Sequence, residues 1–184
     1  MAKEKRWVTA AEFKAQLHAD PVWVREQAKR EARHAAEVAK LRAEIEPEAA
    51  PLRRDLAAVG QNVHSVWELV NASASYPAAI PVLLRHLATA RHPVQRQGIA
   101  RALTVMEGEG IAGGPILQEL KHEQDSETRW TLANALTIVA GSRDTDEIAS
   151  LVADPSYADV HERLSQALKN LRGGKRRSAK RPTP

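Results

Sequence analysis

The feature of the sequence that most limits its fold is an internal repeat of 32–33 residues in the second half of the chain. The segments 96–103, 129–136 and 161–168 align, and each ends in an Ala-Leu pair. The apolar residues that precede these segments align as well, in the order Leu83, Leu84, Leu87, then Ile116, Leu117, Leu120, then Ile148, Ala149, Val152. Polar turns at 91–93, 125–126 and 154–156 separate the two halves of each copy. Each copy therefore reads as a helix, a turn and a second helix.

A weaker fourth copy precedes the other three. Apolar residues at 63, 66, 69 and 70 in its second half align with the second helices of the other copies. They follow a turn at 60–62, which in turn follows the apolar pair Leu52 and Leu56. A single helix pair of this kind cannot bury its apolar face, whereas stacked pairs share one continuous core. We therefore expect an all-α array of about four units over residues 51–172.

The four units resemble HEAT repeats in the short form typical of bacterial proteins. The resemblance rests on the turn, on the Ala-x-Ala-Leu second helix and on the residue pairs that open that helix, Gln95-Arg96, Thr128-Arg129 and Val160-His161. It implies a right-handed α-solenoid of HEAT-like helical hairpins, which typically binds other proteins. His161 replaces the arginine, and the Val63 unit lacks one, so the two ends are atypical, as capping repeats are expected to be.

We expect residues 1–50 to form an N-terminal helical extension, either a diverged repeat with a lengthened second helix or a separate segment. Its long helix is either packed on the repeats or half-solvated. Thr9 and Glu12 have the spacing of a capping box for a short helix. Asp20 followed by Pro21 predicts the start of a long charged helix, which we expect Pro47 and Pro51 to end. A heptad register would place Glu31 and Arg42 in a core, so the pattern disfavours a coiled coil.

Composition excludes several classes of protein. The chain has no cysteine, which rules out disulfides, thiolate metal sites and cysteine nucleophiles. It has no apolar run long enough to span a membrane and no signal-peptide core at its start, so we expect no membrane contact and a cytoplasmic location. We find no phosphate-binding loop, zinc-protease motif or cofactor motif, and we expect a protein that is not an enzyme. Glu31, His34 and Glu37 share a helical side, but ion pairing explains them better than a metal does.

The candidate binding surface lies on the second helices, which line the concave side of such solenoids. Its predicted contact row is Gln97, Arg101, Trp130, Asn134, Glu162 and Gln166. The row is polar and its charges cancel, which favours a protein partner over a nucleic-acid duplex. Trp130 is the exception in this row, because the other repeats have polar residues at the position that aligns with it. It is either an interface anchor or a side chain folded over the helix seam, whereas we expect Trp67 to lie in the core.

Two other functions remain open. Residues 173–184, predicted to be a disordered tail, hold five basic residues and no acid, while the rest of the chain is close to neutral. These residues are Lys175, Arg176, Arg177, Lys180 and Arg181. They either contact nucleic acid weakly or only keep the protein soluble. Alkylpurine DNA glycosylases are also built from HEAT-like repeats, but this chain lacks an aspartate and basic walls in the expected cleft.

Overall fold

The computed structural model describes residues 9–178, with side chains through residue 173. All regular secondary structure in that range is helical, which confirms the predicted all-α class. The chain divides into two compact units, Met1–Glu44 and Ile45–Pro184. Within the described range, no helix combines the length and apolar character that crossing a membrane requires.

The first unit contains helix α1 (Ala10–Ala19) and the beginning of α2 (Pro21–Ala58). The predicted capping box is confirmed, since Thr9 Oγ1 accepts the Glu12 backbone N–H at 3.2 Å and the Glu12 carboxylate accepts the Thr9 N–H at 2.9 Å. Asp20 caps α2, because its carboxylate accepts the Val22 N–H at 2.8 Å. Both predicted helix starts are therefore present, although α1 buries none of its residues.

Helix α2 continues through Pro47 and Pro51 to Ala58, so the prediction that these prolines end it is wrong. A proline inside a helix removes one backbone hydrogen bond and costs about 3 kcal/mol or more. Beyond the second proline, Leu52 and Leu56 are 1% and 0% exposed in the core of the second unit. Burial of these two leucines offsets the lost hydrogen bonds and keeps the segment helical.

The second unit contains the end of α2 and seven further helices among the described residues. They are α3 (Trp67–Val70), α4 (Ile80–Leu87), α5 (Pro93–Ala102), α6 (Gly113–His122), α7 (Ser126–Val139), α8 (Thr145–Ala153) and α9 (His161–Ser178). The predicted pairs pack together as α4 with α5, α6 with α7 and α8 with α9. The second helices also contact one another in succession, from α3 to α5, α7 and α9.

The core of the second unit is built from the aligned apolar positions of the repeat. The fully enclosed side chains include Leu83, Leu87, Ile99, Leu103, Ile116, Leu117, Leu120, Leu132 and Leu136. The last repeat is looser, because Ala149 and Val152 are only half-buried and Leu151 is buried between them. The weakest sequence copy is also the least regular in structure, since α3 has only 4 residues.

The repeated arginine that opens the second helix holds successive pairs together. The Arg96 side chain donates to the carbonyls of Leu87 and Ala90, both at 3.1 Å, which closes its own pair. It also donates to Glu123 at 2.6 Å and Glu119 at 3.1 Å, carboxylates of the next pair. This arginine is 8% exposed, so it is part of the framework rather than of a binding surface.

Arg129 repeats this arrangement one unit later. It donates to the Glu123 carbonyl at 3.3 Å and to the Ser156 carbonyl at 3.0 Å. Two further bonds, of 2.8 and 2.9 Å, join it to the Asp159 carboxylate, and its guanidinium carbon lies 5.0 Å from the centre of the Tyr157 ring. The arginine hydrogen bond lowers the pKa of Asp159 and raises the pKa of Arg129.

Candidate functional site

The six predicted contact residues all lie on α5, α7 and α9, the helices that contact one another in sequence. Arg101, Trp130, Glu162 and Gln166 are exposed, and Asn134 is half-buried. The structure therefore leaves five of the six accessible at the surface of the second-helix layer. We call the exposed part of this layer, centred on Trp130, the second-helix surface.

Gln97 is the exception, because it is only 7% exposed and the prediction that it points outward is wrong. Its side-chain amide lies 3.3 Å from Thr128 Oγ1 and 3.4 Å from the Asp125 carboxylate, and donates to both. Asp125 caps α7 by accepting the Thr128 N–H at 2.8 Å, and hydrogen bonds from Thr128 lower its pKa. Gln97 therefore joins α5 to the start of α7, and the start of α7 covers the Gln97 side chain.

Trp130 lies at the aligned position of α7 and remains 40% exposed. The guanidinium carbon of Arg163 on α9 lies 5.2 Å from its ring centre, within the range of a cation–π contact. Arg163 Nε is fully enclosed and has no hydrogen-bond partner in the described part of the chain. The contact holds the indole ring in place on an exposed surface, which is the condition of a preformed interface anchor.

Sequence reasoning missed Arg163, although the alignment contains a signal for it. The aligned residues of the two preceding repeats are Gly98 and Thr131, both small. A long cation at a position that is small in the other repeats marks a local function or a local contact. Here the contact is with the tryptophan of the neighbouring helix.

A second arginine–tryptophan pair joins α3 to α5. The guanidinium carbon of Arg101 lies 5.6 Å from the Trp67 ring centre, and Trp67 is half-buried against the core rather than enclosed in it. The prediction that Trp67 is a core residue is therefore only partly correct. A side chain at Gly98 would begin 2.7 Å from Val66 Cγ1 and 3.0 Å from Trp67 Nε1, so the glycine permits this close packing.

A chain of polar contacts joins the second half of α7 to α9. Gln166 donates to the Asn170 side chain at 2.8 Å, and Asn170 donates to the Thr137 carbonyl at 2.8 Å. Thr137 in turn donates to the Asn134 carbonyl at 2.6 Å. The Asn134 amide has no hydrogen-bond partner in the range that the structure describes, which leaves it available to a ligand.

An open cleft of about 450 Å³ lies at the other end of α7. Its walls come from Leu136–Ala140, from α9 and from the turn after α5, and its most exposed apolar side chains are Met106 (66%) and Ile138 (38%). The polar groups that line it are Glu109, Thr137, Ser142 and Asn170. The second-helix surface thus combines a fixed aromatic ring, amide groups and an apolar cleft along α7 and α9.

The basic segment is placed only in part. Helix α9 runs through Gly173 to Ser178, so the prediction of a disordered tail from residue 173 is wrong for 173–178. Lys175, Arg176 and Arg177 therefore belong to a helix, and Lys180 and Arg181 lie outside the described residues.

Among residues 9–178, no group of three or more His, Asp or Glu side chains could hold a metal ion. Glu31, His34 and Glu37 accordingly do not form such a group. In comparisons with protein-family models, with curated proteins and with solved structures, the chain matches none of them.

Proposed function

We propose that the chain is a right-handed, HEAT-like α-solenoid that binds another protein, without catalysis, through the second-helix surface. The observation that carries the proposal is Trp130, which is 40% exposed yet held by Arg163 across the seam between α7 and α9. Exposed tryptophans and arginines of this kind dominate the binding energy of protein interfaces. The contacts from α3 through α9 in succession agree with a solenoid, because each pair touches chiefly its neighbours.

The surface has the chemistry of an interface rather than of a polyanion groove. Arg101 on α5 and Glu162 on α9 bear opposite charges on the second-helix surface, and Asn134 and Gln166 contribute amides to it. An interface core is typically apolar or aromatic and is surrounded by a polar rim. Asn134 and Gln166 provide such a rim beside the indole ring.

The test begins with capture of partners on tagged full-length protein, with and without nuclease. A partner that survives nuclease is then titrated against the Trp130→Ala/Arg101→Ala double variant. We expect its Kd to rise by about a hundredfold or more, because truncation of one hot-spot residue costs roughly 2 kcal/mol or more, about 30-fold in Kd, and this variant removes two.

The matched control is Trp23→Ala/Arg54→Ala, which removes the same two residue types from α2 rather than from α5, α7 and α9. It should leave the Kd unchanged, and both double variants should keep the helical circular-dichroism spectrum. Unchanged affinity in the Trp130/Arg101 variant would remove the second-helix surface from the proposal.

A nucleic-acid contact is the second candidate, and the extension of α9 to Ser178 favours it. Residues 175–177 are three consecutive basic residues, and they belong to that helix. Deletion of residues 173–184 should then abolish binding, and the affinity of the intact chain should fall steeply with salt. Binding that persists without these residues would exclude this candidate.

A further inference from the structure

A small cleft of about 210 Å³ lies apart from the second-helix surface, within the second unit. Its walls come from the proline-containing part of α2, the end of α4 and the start of α5. The residues that line it are Pro47, Glu48, Pro51, His86, Thr89, Ala90, Gln95 and Ile99. The proposed partner surface does not account for its polar groups.

Gln95 is the feature that marks the cleft as a site. It is 4% exposed, and its amide makes no hydrogen bond within the described residues. In that range, Arg163 Nε is the only fully enclosed side-chain nitrogen or oxygen without a partner, so the Gln95 amide must reach accessible space. The space that Gln95 lines is this cleft. An amide with no protein partner depends on water or on a ligand in the cleft for its hydrogen bonds.

The other polar groups of the cleft are chiefly hydrogen-bond acceptors. Pro51 has no N–H, so the Pro47 carbonyl lacks the bond that residue 51 would otherwise donate to it. The Glu48 carboxylate accepts the backbone N–H groups of Arg91 at 3.0 Å and His92 at 3.2 Å, and retains further lone pairs.

His86 adds a further nitrogen to the wall of the cleft. His86 Nε2 lies 2.8 Å from the Asp55 carboxylate, which also receives Arg85 at 2.9 Å. Hydrogen bonds from His86 and Arg85 lower the pKa of Asp55, so this carboxylate is ionised at neutral pH.

We propose that this cleft binds an alkylammonium group, either from a free amine or from a lysine side chain. An ammonium group has three N–H donors and no acceptor, which matches a cleft that offers the Glu48 carboxylate, the Gln95 amide oxygen and the Pro47 carbonyl. The apolar walls, Pro51 and Ile99 among them, suit the methylene chain that carries such a group. The cleft is small, at about 210 Å³, which favours a ligand with a short chain.

The experiment follows the side-chain amide signals of ¹⁵N-labelled full-length protein by NMR during titration with n-butylamine. We expect the Gln95 signal to shift saturably, with a Kd of about 1 mM, as befits a ligand of few atoms. Butyrate and tetramethylammonium, which lack N–H donors, should not shift it. A Gln95 signal that butylamine does not move, or that tetramethylammonium moves equally, would overturn the proposal.

Two variants keep the test independent of folding. Gln95→Leu removes the amide that has no protein partner, at similar volume, and should not lower the melting temperature. Glu48→Gln removes the negative charge but keeps an oxygen that can accept the N–H groups of Arg91 and His92. Each should raise the Kd by about tenfold or more, read from backbone signals of the cleft. Gln124→Leu and Glu127→Gln, at exposed positions, are the matched controls and should leave the Kd unchanged. Equal affinity in the cleft variants and their controls would contradict the site.

Two further probes distinguish the sources of the ammonium group. If 1,4-diaminobutane binds about tenfold more tightly than n-butylamine, both ends are recognised and the ligand is a free diamine. If N-acetyl-lysine-methylamide equals n-butylamine and the diamine adds nothing, the cleft recognises a lysine side chain of a partner. Either result supports ammonium recognition, and a failure of all three amines contradicts it without affecting the proposed partner surface.

Discussion

Helices α5 and α7 carry the same repeat pattern but use aligned positions differently. Gln97 is buried and bonded to the start of α7, whereas Trp130 at the aligned position is 40% exposed. One position further along, Gly98 permits close contact with Val66 and Trp67, where α7 has Thr131. The core positions are equivalent in the two repeats, with Ile99 and Leu103 in one and Leu132 and Leu136 in the other. The difference therefore lies in how the next helix covers each outer face. The repeat therefore determines the core, and the neighbour determines which outward residues remain accessible.

The largest contrast between the two helices should come from their repeated arginines. Arg96→Ala leaves the largely buried Glu119 and Glu123 carboxylates without their cation and should cost about 3–5 kcal/mol of unfolding free energy. Arg129→Ala should cost less, about 1.5–3 kcal/mol, because its partner Asp159 is 42% exposed. Urea unfolding followed by circular dichroism measures both. Equal losses would show that the two arginines contribute equally to the free energy of unfolding, although their carboxylate partners differ in burial.

The next effect tests the close approach of α3 and α5. Gly98→Ala places a methyl group 2.7 Å from Val66 Cγ1, so we expect a loss of about 1–3 kcal/mol despite the better helix propensity of alanine. Gly114→Ala in α6 is the control, since its methyl group would lie 3.8 Å from the Asp144 carboxylate, an ordinary contact. It should be neutral or stabilise by about 0.4–1 kcal/mol. A stabilised Gly98→Ala variant would contradict the packing described here.

The Arg129–Asp159 pair gives α7 a pH-dependent link to the next repeat. The pKa of Asp159 is lowered in the folded chain, so the unfolded chain binds more protons in acid. The stability that this pair contributes is therefore present above the ordinary aspartate pKa of about 3.9 and is lost as pH falls through the lowered value. Melting temperatures of the wild type and Arg129→Ala should converge in that acidic range. A constant gap at every pH would show that the ionised carboxylate is not responsible.

The sequence was sufficient for the all-α class, the helix pairs and most of the core, because buried leucines and alanines recur with the repeat. The sequence did not predict features in which packing against a neighbouring element overrides a local preference. Pro47 and Pro51 are helix breakers locally, but burial of Leu52 beyond them keeps α2 helical. The burial of Gln97 and the contact between Trp130 and Arg163 depend on the spacing of neighbouring helices, which no single repeat encodes. Arg163 alone left a signal, as a large residue at a position that is small in the other repeats.

The smallest effect on folding should come from the residue on which the proposed function depends most. Trp130→Gln gives α7 the residue that α5 has at this position, and it should cost only about 0.5–1 kcal/mol, the value of an exposed cation–π contact. In an Arg163→Ala background the same change should cost less, because the contact is already absent, and urea unfolding of the four proteins measures that coupling. If Trp130→Gln instead destabilises the chain as much as Arg96→Ala, the indole is a structural element of the α7–α9 seam. A small cost would mean that folding does not require the ring, so that binding becomes the better reason for an exposed tryptophan at a position that is polar in the other repeats.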